Sequence, residues 1–471
     1  MPARTTTPAF VGRSTELAAL VDAFDHAAEG RGATALVGGE AGVGKSRLVG
    51  EMAAQARRRG ARVLIGQCLD LEEGGLPYAP VVDMLRSLAR DLSPEEGAAT
   101  LAPVRALLGR DPGAGDWRDP GDDERPGAGS ASQLGQARLF ELLLTVIERL
   151  VDTRPLVLVF EDLHWADRST LDLVSLLASN VRHLPVLLVA TYRSEDVPPR
   201  HPLRSLSAEL TRRGAVHLPL DRLGPGDVAE LLGTLLAAPP PAEVTASVVE
   251  RSDGNPLFVE ELAAVVAEDP GAPMPPQLRD AVTARIEHMP AEAAAVLRAC
   301  AVGGRQVEHE LLAAVLAPGA DPPTAPVDQL ALDRALRTCV DHRLLLTDQR
   351  TGTYRFRHAL VHEAVLEDAL PGELARLHAA YAAALAARDR PPGQGDDDWA
   401  RLAHHWAAAA DYDHALEAAV RAGRAADAAF AVPEAHRYLE WSVRLWDRAD
   451  DPIAAAGYDR GELLARAADA A

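Results

Sequence analysis

The eight residues Gly39-Glu40-Ala41-Gly42-Val43-Gly44-Lys45-Ser46 fit the phosphate-binding pattern G-x-x-x-x-G-K-[ST] at every specified position. The flanks suit it. Ala33-Thr34-Ala35-Leu36-Val37 is a short apolar run of strand type, and from Lys45 to Arg59 the residues Leu48, Val49, Met52 and Ala56 recur at helical spacing. Glycines at 39, 42 and 44 let backbone N–H groups turn toward phosphate oxygens, and the helix N-terminus adds partial positive charge. Lys45 can reach the β- and γ-phosphates, and the Ser46 hydroxyl can ligate Mg²⁺. Lys45 is the only lysine in 471 residues. A composition that uses arginine everywhere else keeps a compact ammonium at the one place where a planar guanidinium fits poorly between phosphates.

At this length roughly three domains of about 150 residues are expected. The hydrophobic fraction of 48 % is rich in alanine and only 4 % of the chain is aromatic, which predicts a helical, Ala/Leu/Val-packed interior. A net charge of −21 disfavours nonspecific attraction to nucleic acid or anionic lipid, so no direct DNA binding is expected. Cys68, Cys300 and Cys339 lie far apart without metal-ligand spacing and suit a reducing cytoplasm. No signal pattern precedes Phe10 and no apolar run approaches the ~18 residues of a membrane span, so the expected location is cytoplasmic.

The order of elements gives the fold class. A helix over Ser14–His26 precedes the phosphate loop, and Arg62–Gly66 reads as a second strand. Residues 109–129, rich in Gly, Pro and Asp, read as a mobile insert. A helix over Ala137–Leu150 leads to the apolar runs Leu156–Phe160 and Pro185–Thr191, with a weaker strand at Val216–Leu220. Buried strands alternating with helices predict an α/β fold of the P-loop NTPase kind, a parallel sheet with helices on both faces and ligand groups at the strand C-termini. Beyond Leu223 short helices are expected at Asp227–Leu236, Pro241–Arg251 and Leu257–Ala267, then a linker at 270–276 and helices at 277–289, 291–301, 308–316 and 329–339. Leu344–Leu346 and Tyr354–Phe356 form a hairpin around Gly352, a pattern that suits a winged helix. From Pro371 the chain is Ala-rich helix with a break at 390–398 and a hint of helix-hairpin repeats.

The strand Leu156–Phe160 ends in Glu161-Asp162. Mg²⁺ needs a carboxylate and hydrolysis needs a base to orient water, and these two acids supply both candidates. Arg193, just past the next strand, could reach a γ-phosphate.

Phe10-Val11-Gly12-Arg13, the phosphate loop, Phe160-Glu161-Asp162-Leu163-His164-Trp165-Ala166-Asp167, Thr191-Tyr192-Arg193, Gly254-Asn255-Pro256-Leu257-Phe258-Val259-Glu260-Glu261-Leu262 and Phe356-Arg357-His358 occur in that order. Together they resemble the STAND-type AAA ATPase region of the large ATP-binding LuxR-family transcriptional regulators. The resemblance covers about residues 9 to 450. It implies an ATPase core over 9–221, a helical lid over 222–270, a winged helix over 275–370 and a TPR-like helical-repeat arm over 371–471, incomplete here. It also implies that Val11, Gly12 and Arg13 line the adenine side, that Pro256 packs on the base, and that His358 approaches the β-phosphate of ADP; Arg47, next after Ser46, is a further candidate nucleotide-binding residue. In this sequence Glu161 stands where many P-loop ATPases carry aspartate, so the division of metal and base roles between Glu161 and Asp162 stays open. Relatives of this type usually continue to a C-terminal helix-turn-helix, whereas this sequence ends at Ala471 in an Ala-rich helix.

The expected function is an ATP/ADP- and Mg²⁺-dependent signalling switch with slow hydrolysis, self-association in the ATP state, and an inducer or protein partner at the repeat arm. The alternatives are an AAA-type motor, for which no pore-loop aromatic motif is seen, and a non-hydrolysing ADP-bound interaction scaffold.

Overall fold

The computed structural model describes residues 10–68, 77–104, 128–236, 239–268, 289–317, 328–342, 344–348, 351–357, 359–388 and 396–470, with Thr283 and Ile286. By contacts the chain divides into two compact units, one of residues 1–17, 39–51 and 219–385, the other of 18–38, 52–218 and 386–471.

The second unit is built on a parallel sheet of five strands, β1 (Ala33–Gly39), β2 (Arg62–Gln67), β3 (Leu156–Glu161), β4 (Val186–Arg193) and β5 (Val216–Leu220), in the order β2-β3-β4-β1-β5. The register of β3 is set on both sides: Leu158 pairs with Leu64 and with Leu188, and Glu161 pairs with Gln67. Leu156 through Phe160 and Val186 through Ala190 are all buried, as a parallel sheet covered on both faces requires. Flanking helices are α1 (Ser14–Ala28), α2 (Lys45–Arg58), α3 (Ala79–Asp91), α4 (Pro94–Leu101), α5 (Ala128–Val151), α6 (Arg168–Asn180) and α7 (Pro202–Arg212).

The same unit contains the C-terminal helices 396–408, 412–428, 432–446, 452–456 and 460–469. The turns between the first three pass through Ala410 and Phe430, both in the left-handed region at φ 62 and 57. Asp411 caps the second helix by accepting the His414 N–H at 3.2 Å, and Gly423 leaves room for Leu439 of the next, so these helices stack closely.

The first unit holds α8 (Pro225–Leu236), α9 (Ala242–Ser252) and α10 (Pro256–Glu268), packed around Leu223, Val228, Leu232, Val248, Val259 and Leu262. Further on, helices 291–302, 309–315 and 329–341 accompany a three-stranded antiparallel sheet of β6 (Gln306–Glu308), β7 (Leu345–Asp348) and β8 (Thr353–Phe356), ordered β6-β8-β7. Tyr381, in the helix Pro371–Ala386, donates to the Ala299 carbonyl at 2.8 Å.

Several expectations shift. The hairpin has a third strand, β6, immediately before the helix expected over 308–316, which runs 309–315; the extended Gln306-Val307-Glu308 buries only Val307, too short a run to show a period. Residues 128 and 129, assigned to the insert, already belong to α5, whose start lacks an apolar stripe legible from sequence. Helix 396–408 begins inside the expected break, and α4, with its Ser93/Glu96 capping box, was not foreseen. The rest of the insert, the 270–276 linker and His358 lie outside the described residues. Among the described residues, no helix is long and apolar enough to cross a membrane.

Candidate nucleotide site

In the first unit the phosphate loop is held by its carbonyls. The Lys45 ammonium donates to the carbonyl oxygens of Gly39 and Glu40, both at 2.8 Å. Asn255 Nδ2 donates to the Ala41 carbonyl at 3.0 Å, the Leu257 N–H donates to Gly42 at 3.3 Å, and an Arg13 guanidinium N–H reaches Val43 at 3.4 Å. The Val43 N–H closes a turn onto Glu40 at 3.3 Å. Five consecutive carbonyls are thus taken. Because C=O and N–H point opposite ways across a planar peptide, tying the Ala41 and Val43 carbonyls to Asn255 and Arg13 outside the loop turns the Gly42 and Gly44 amides the other way, as an anion cradle needs.

Asn255 does two jobs at once. Its Oδ1 accepts the Leu257 N–H at 3.1 Å, capping α10, whose first residue is Pro256, a position where a missing N–H costs nothing. Gly42 accepts this close approach because it has no side chain: it sits at φ +78, and a Cβ there would lie 2.8 Å from both Asn255 Oδ1 and Leu257 Cβ. Arg13 is buried and also donates to the Asp221 carbonyl, while pairing with Glu16 at 3.1 Å. Val11 is buried beside it in sequence, Gly12 turns at φ +70, and Ser46 is exposed at the start of α2. Gly44 sits at φ +103.

Arg47 lies in a charge cluster. Burial lowers its pKa, Glu260 and Glu51 oppose that shift, and Arg357 adds to it. Arg357 in turn pairs with Glu260 of α10 at 3.3 Å. This places the residue after Ser46, α10 and the residue following β8 in one electrostatic neighbourhood. An exposed pair, Arg222 with Glu40 at 2.8 Å, adds a second tie from the residue after Asp221 to the loop.

In the second unit β3 delivers Glu161, half-buried, and Asp162, buried, at its C-terminal end. Asp162 leaves the strand at φ 56, ψ 46, in the left-handed region. Its N–H donates to Thr191 Oγ1 at 3.0 Å and its Oδ2 lies 3.4 Å from Gln67 Nε2, so β4 and β2 fix it from both sides. Nearby Cys68 has its thiol pKa pushed well up by burial, and then by Asp167, Asp162 and Glu161, which keeps it a neutral thiol. Arg193 ends β4 and is buried. Its guanidinium stacks 4.7 Å from the Trp165 ring centre and pairs with Asp196 at 3.4 Å, and its N–H donates to His164 Nδ1 at 3.3 Å.

Sequence reasoning therefore selected Arg193, Glu161 and Asp162 but missed what holds them: Gln67, Thr191, His164, Trp165 and Asp196. The signal was partly present, since His164 and Trp165 stand in the same string as the two acids. Asn255 carries a signal of the same kind, since an Asn before a Pro that starts an apolar helical run is a cap signature.

Taken unit by unit, the Ser46 hydroxyl of the first and the Glu161 and Asp162 carboxylates of the second are each oxygen ligands of the type Mg²⁺ takes.

Residues 9–189 match the family model described as an AAA ATPase domain. An uncharacterised protein of Rhizobium meliloti (strain 1021) is 28 % identical over 472 residues, covering 92 % of this chain and 42 % of the relative, so the chain spans less than half of that relative's length. A solved structure, the STAND (signal transduction ATPase with numerous domains) protein with a tetratricopeptide repeat sensor from Pyrococcus horikoshii, matches with a TM-score of 0.54 at 14 % identity, over 98 % of this chain and 64 % of that one. At that identity the likeness is one of fold. Over residues 9–189, then, the chain carries an AAA ATPase domain, within a P-loop NTPase fold followed by a mostly helical C-terminal region.

Proposed function

We propose that the protein is a nucleotide-dependent signalling switch that binds Mg²⁺·ATP, hydrolyses it slowly and holds ADP in its resting state. The observation that carries this reading is the seizure of the phosphate loop by the segment 254–257, through Asn255 Nδ2 on Ala41 and the Leu257 N–H on Gly42. A lid bonded to the loop itself gives phosphate occupancy a direct mechanical readout.

In this reading Gly39, Gly42, Gly44, Lys45 and Ser46 bind the phosphates, Val11, Gly12, Arg13 and Pro256 the adenosine end, and Arg47 and His358 respond to nucleotide state. Glu161 and Asp162 share metal binding and water orientation, and Arg193 senses the γ-phosphate. Bound Mg²⁺ would neutralise charge on the β- and γ-oxygens. The proposed domains are the core over 9–221, the lid over 222–270, the winged helix over 275–370 and the TPR-like arm over 371–471. The large ATP-binding LuxR-type regulators are the proposed family context, with an inducer or protein partner at the arm and self-association in the ATP state.

The test is to denature purified protein, identify and count the released nucleotide, and measure Mg²⁺-dependent phosphate release. About one ADP per chain is expected, with turnover far below the ~10 s⁻¹ median of enzymes. Turnover at or above that median favours a motor, and tightly held ADP without any turnover favours a scaffold. A chain that neither carries nucleotide nor binds added ATP overturns the reading.

A further inference from the structure

Two carboxyl groups meet at the start of α6, and they come from different parts of the chain. Asp167 caps the helix: its Oδ1 accepts the Thr170 N–H at 2.8 Å and its Oδ2 accepts the Thr170 hydroxyl. Glu434, from the helix 432–446, accepts the Arg168 N–H at 2.9 Å through Oε1 and the Ser169 hydroxyl at 2.5 Å through Oε2. Asp167 is 3 % exposed and Glu434 0 %. Glu434 acts electrostatically on Asp167, disfavouring its charged form.

Against two buried carboxylates the structure sets a distant, exposed guanidinium. Arg437 approaches Glu434 only to 3.9 Å with a side chain that is 44 % exposed, and Arg168 turns its guanidinium to Asp172 at 3.2 Å. From α3 the neighbour is Tyr78, whose hydroxyl is pushed up to about 12 and stays protonated, and after β2 it is the neutral Cys68 thiol. The α6 N-terminus supplies about half a positive charge and a handful of N–H and O–H donors. That suffices for one anion and leaves a second uncompensated in a water-poor site, where an isolated charge is expelled by protonation.

We propose that Asp167 and Glu434 share a single proton, and that this proton fastens the helix 432–446 to the start of α6 as a proton-dependent latch. Taking up one proton from solvent converts the pair from two carboxylates into a carboxyl and a carboxylate, which leaves one anion for the donors of the α6 N-terminus. Burial and then the facing acid raise Asp167 to about 7, and burial raises Glu434 as well. A carboxyl raised in the docked form favours docking while protonated. Docking is therefore complete below the ordinary carboxyl range near 4, weakens as pH climbs, and levels off above about 7. Since α6 is reached from Asp162 through one 3₁₀ turn, Leu163–Trp165, the latch acts on the segment that carries the acids of the candidate site.

Hydrogen–deuterium exchange on the full chain, corrected for intrinsic rates, tests this between pH 5 and 7. Protection of residues 168–180 and 432–446 is expected to fall several-fold, up to about tenfold, per pH unit in the wild type. Glu434→Gln places an amide donor where the proton would sit, so it should flatten that slope and match or exceed wild-type protection at pH 7. Asp167→Asn, which keeps a capping oxygen, should flatten it too. A wild-type slope of zero, or two variants that both keep the wild-type slope, would overturn the proposal. Neither readout requires nucleotide, so failure here is separable from failure of the switch reading.

Discussion

Asn255 Nδ2 sits 3.0 Å from the carbonyl oxygen of Ala41, joining the residue before α10 to the middle of the phosphate loop across more than two hundred positions of sequence. The same side chain caps α10, so one amide couples the start of that helix to loop shape. Asn255→Ala should remove a net contribution of about 1–2 kcal/mol and weaken ATP binding roughly five- to thirtyfold. Isothermal titration against ATP with Mg²⁺ checks this, and an unchanged Kd would refute it. Gly42→Ala should be worse, since the new methyl meets Asn255 and Leu257 at 2.8 Å in a backbone conformation alanine avoids.

Lys45 is held by two carbonyls at 2.8 Å, a poised donor that phosphate oxygens would compete for. Lys45→Ala should abolish tight ATP binding, raising Kd by a hundredfold or more, because no other lysine exists to take its place. The overall fold should survive, as checked by circular dichroism. Wild-type affinity in the variant would remove the loop from the binding site.

Arg357 and Glu260 form a partly buried pair at 3.3 Å, with Arg47 in the same electrostatic field. Nucleotide dissociation, followed by stopped flow with a fluorescent ADP analogue, should quicken about two- to tenfold in Glu260→Gln and in Arg357→Gln. The double variant should be no faster than the faster single one, giving a coupling of roughly 0.5–1.5 kcal/mol. Fully additive effects would mean that the pair does not act as a unit.

His362 is half-buried, with Nε2 2.9 Å from the Ala301 carbonyl. Burial, with Arg305 adding to it, lowers its pKa from 6.5 to about 4. The folded form thus prefers the neutral ring, so its stabilising effect is complete above pH 6.5 and is lost as pH falls toward 4. The loss is on the order of 3 kcal/mol at most. His362→Gln should flatten the stability profile between pH 6.5 and 4 relative to wild type. Parallel profiles from denaturant titrations would show that this ring does not drive acid sensitivity. The sign is opposite to that of the Asp167–Glu434 pair, so the two are separable by variant.

What could be read in advance divides along physical lines. Local patterns were legible: the β3 and β4 runs are continuous because both sheet faces are covered, and the phosphate loop is a contiguous string. The boundaries of α8, α9 and α10 fell within two residues of expectation because apolar spacing and proline mark them. Partnerships between distant segments were not legible. Nothing in the spacing of Glu434 announces a buried acid at the start of α6, and Thr191 beside Asp162 depends on a strand register that only the folded sheet defines. β6 was missed because three residues carry too little pattern.

Asp162 closes β3 with φ 56, a backbone setting that glycine enters freely and that costs most side chains on the order of 1 kcal/mol. Aspartate tolerates it better than most residues, but not without cost, so on backbone grounds this fold would be more robust with glycine at 162. A laboratory campaign that ranks variants by melting temperature would promote Asp162→Gly early, trading away the carboxylate for a relaxed turn. One that ranks by phosphate release would, on the role proposed above, discard that variant at once. On that proposed role, heat resistance and phosphate release pull a protein engineer in opposite directions at this position, and the conflict is written into a single dihedral angle.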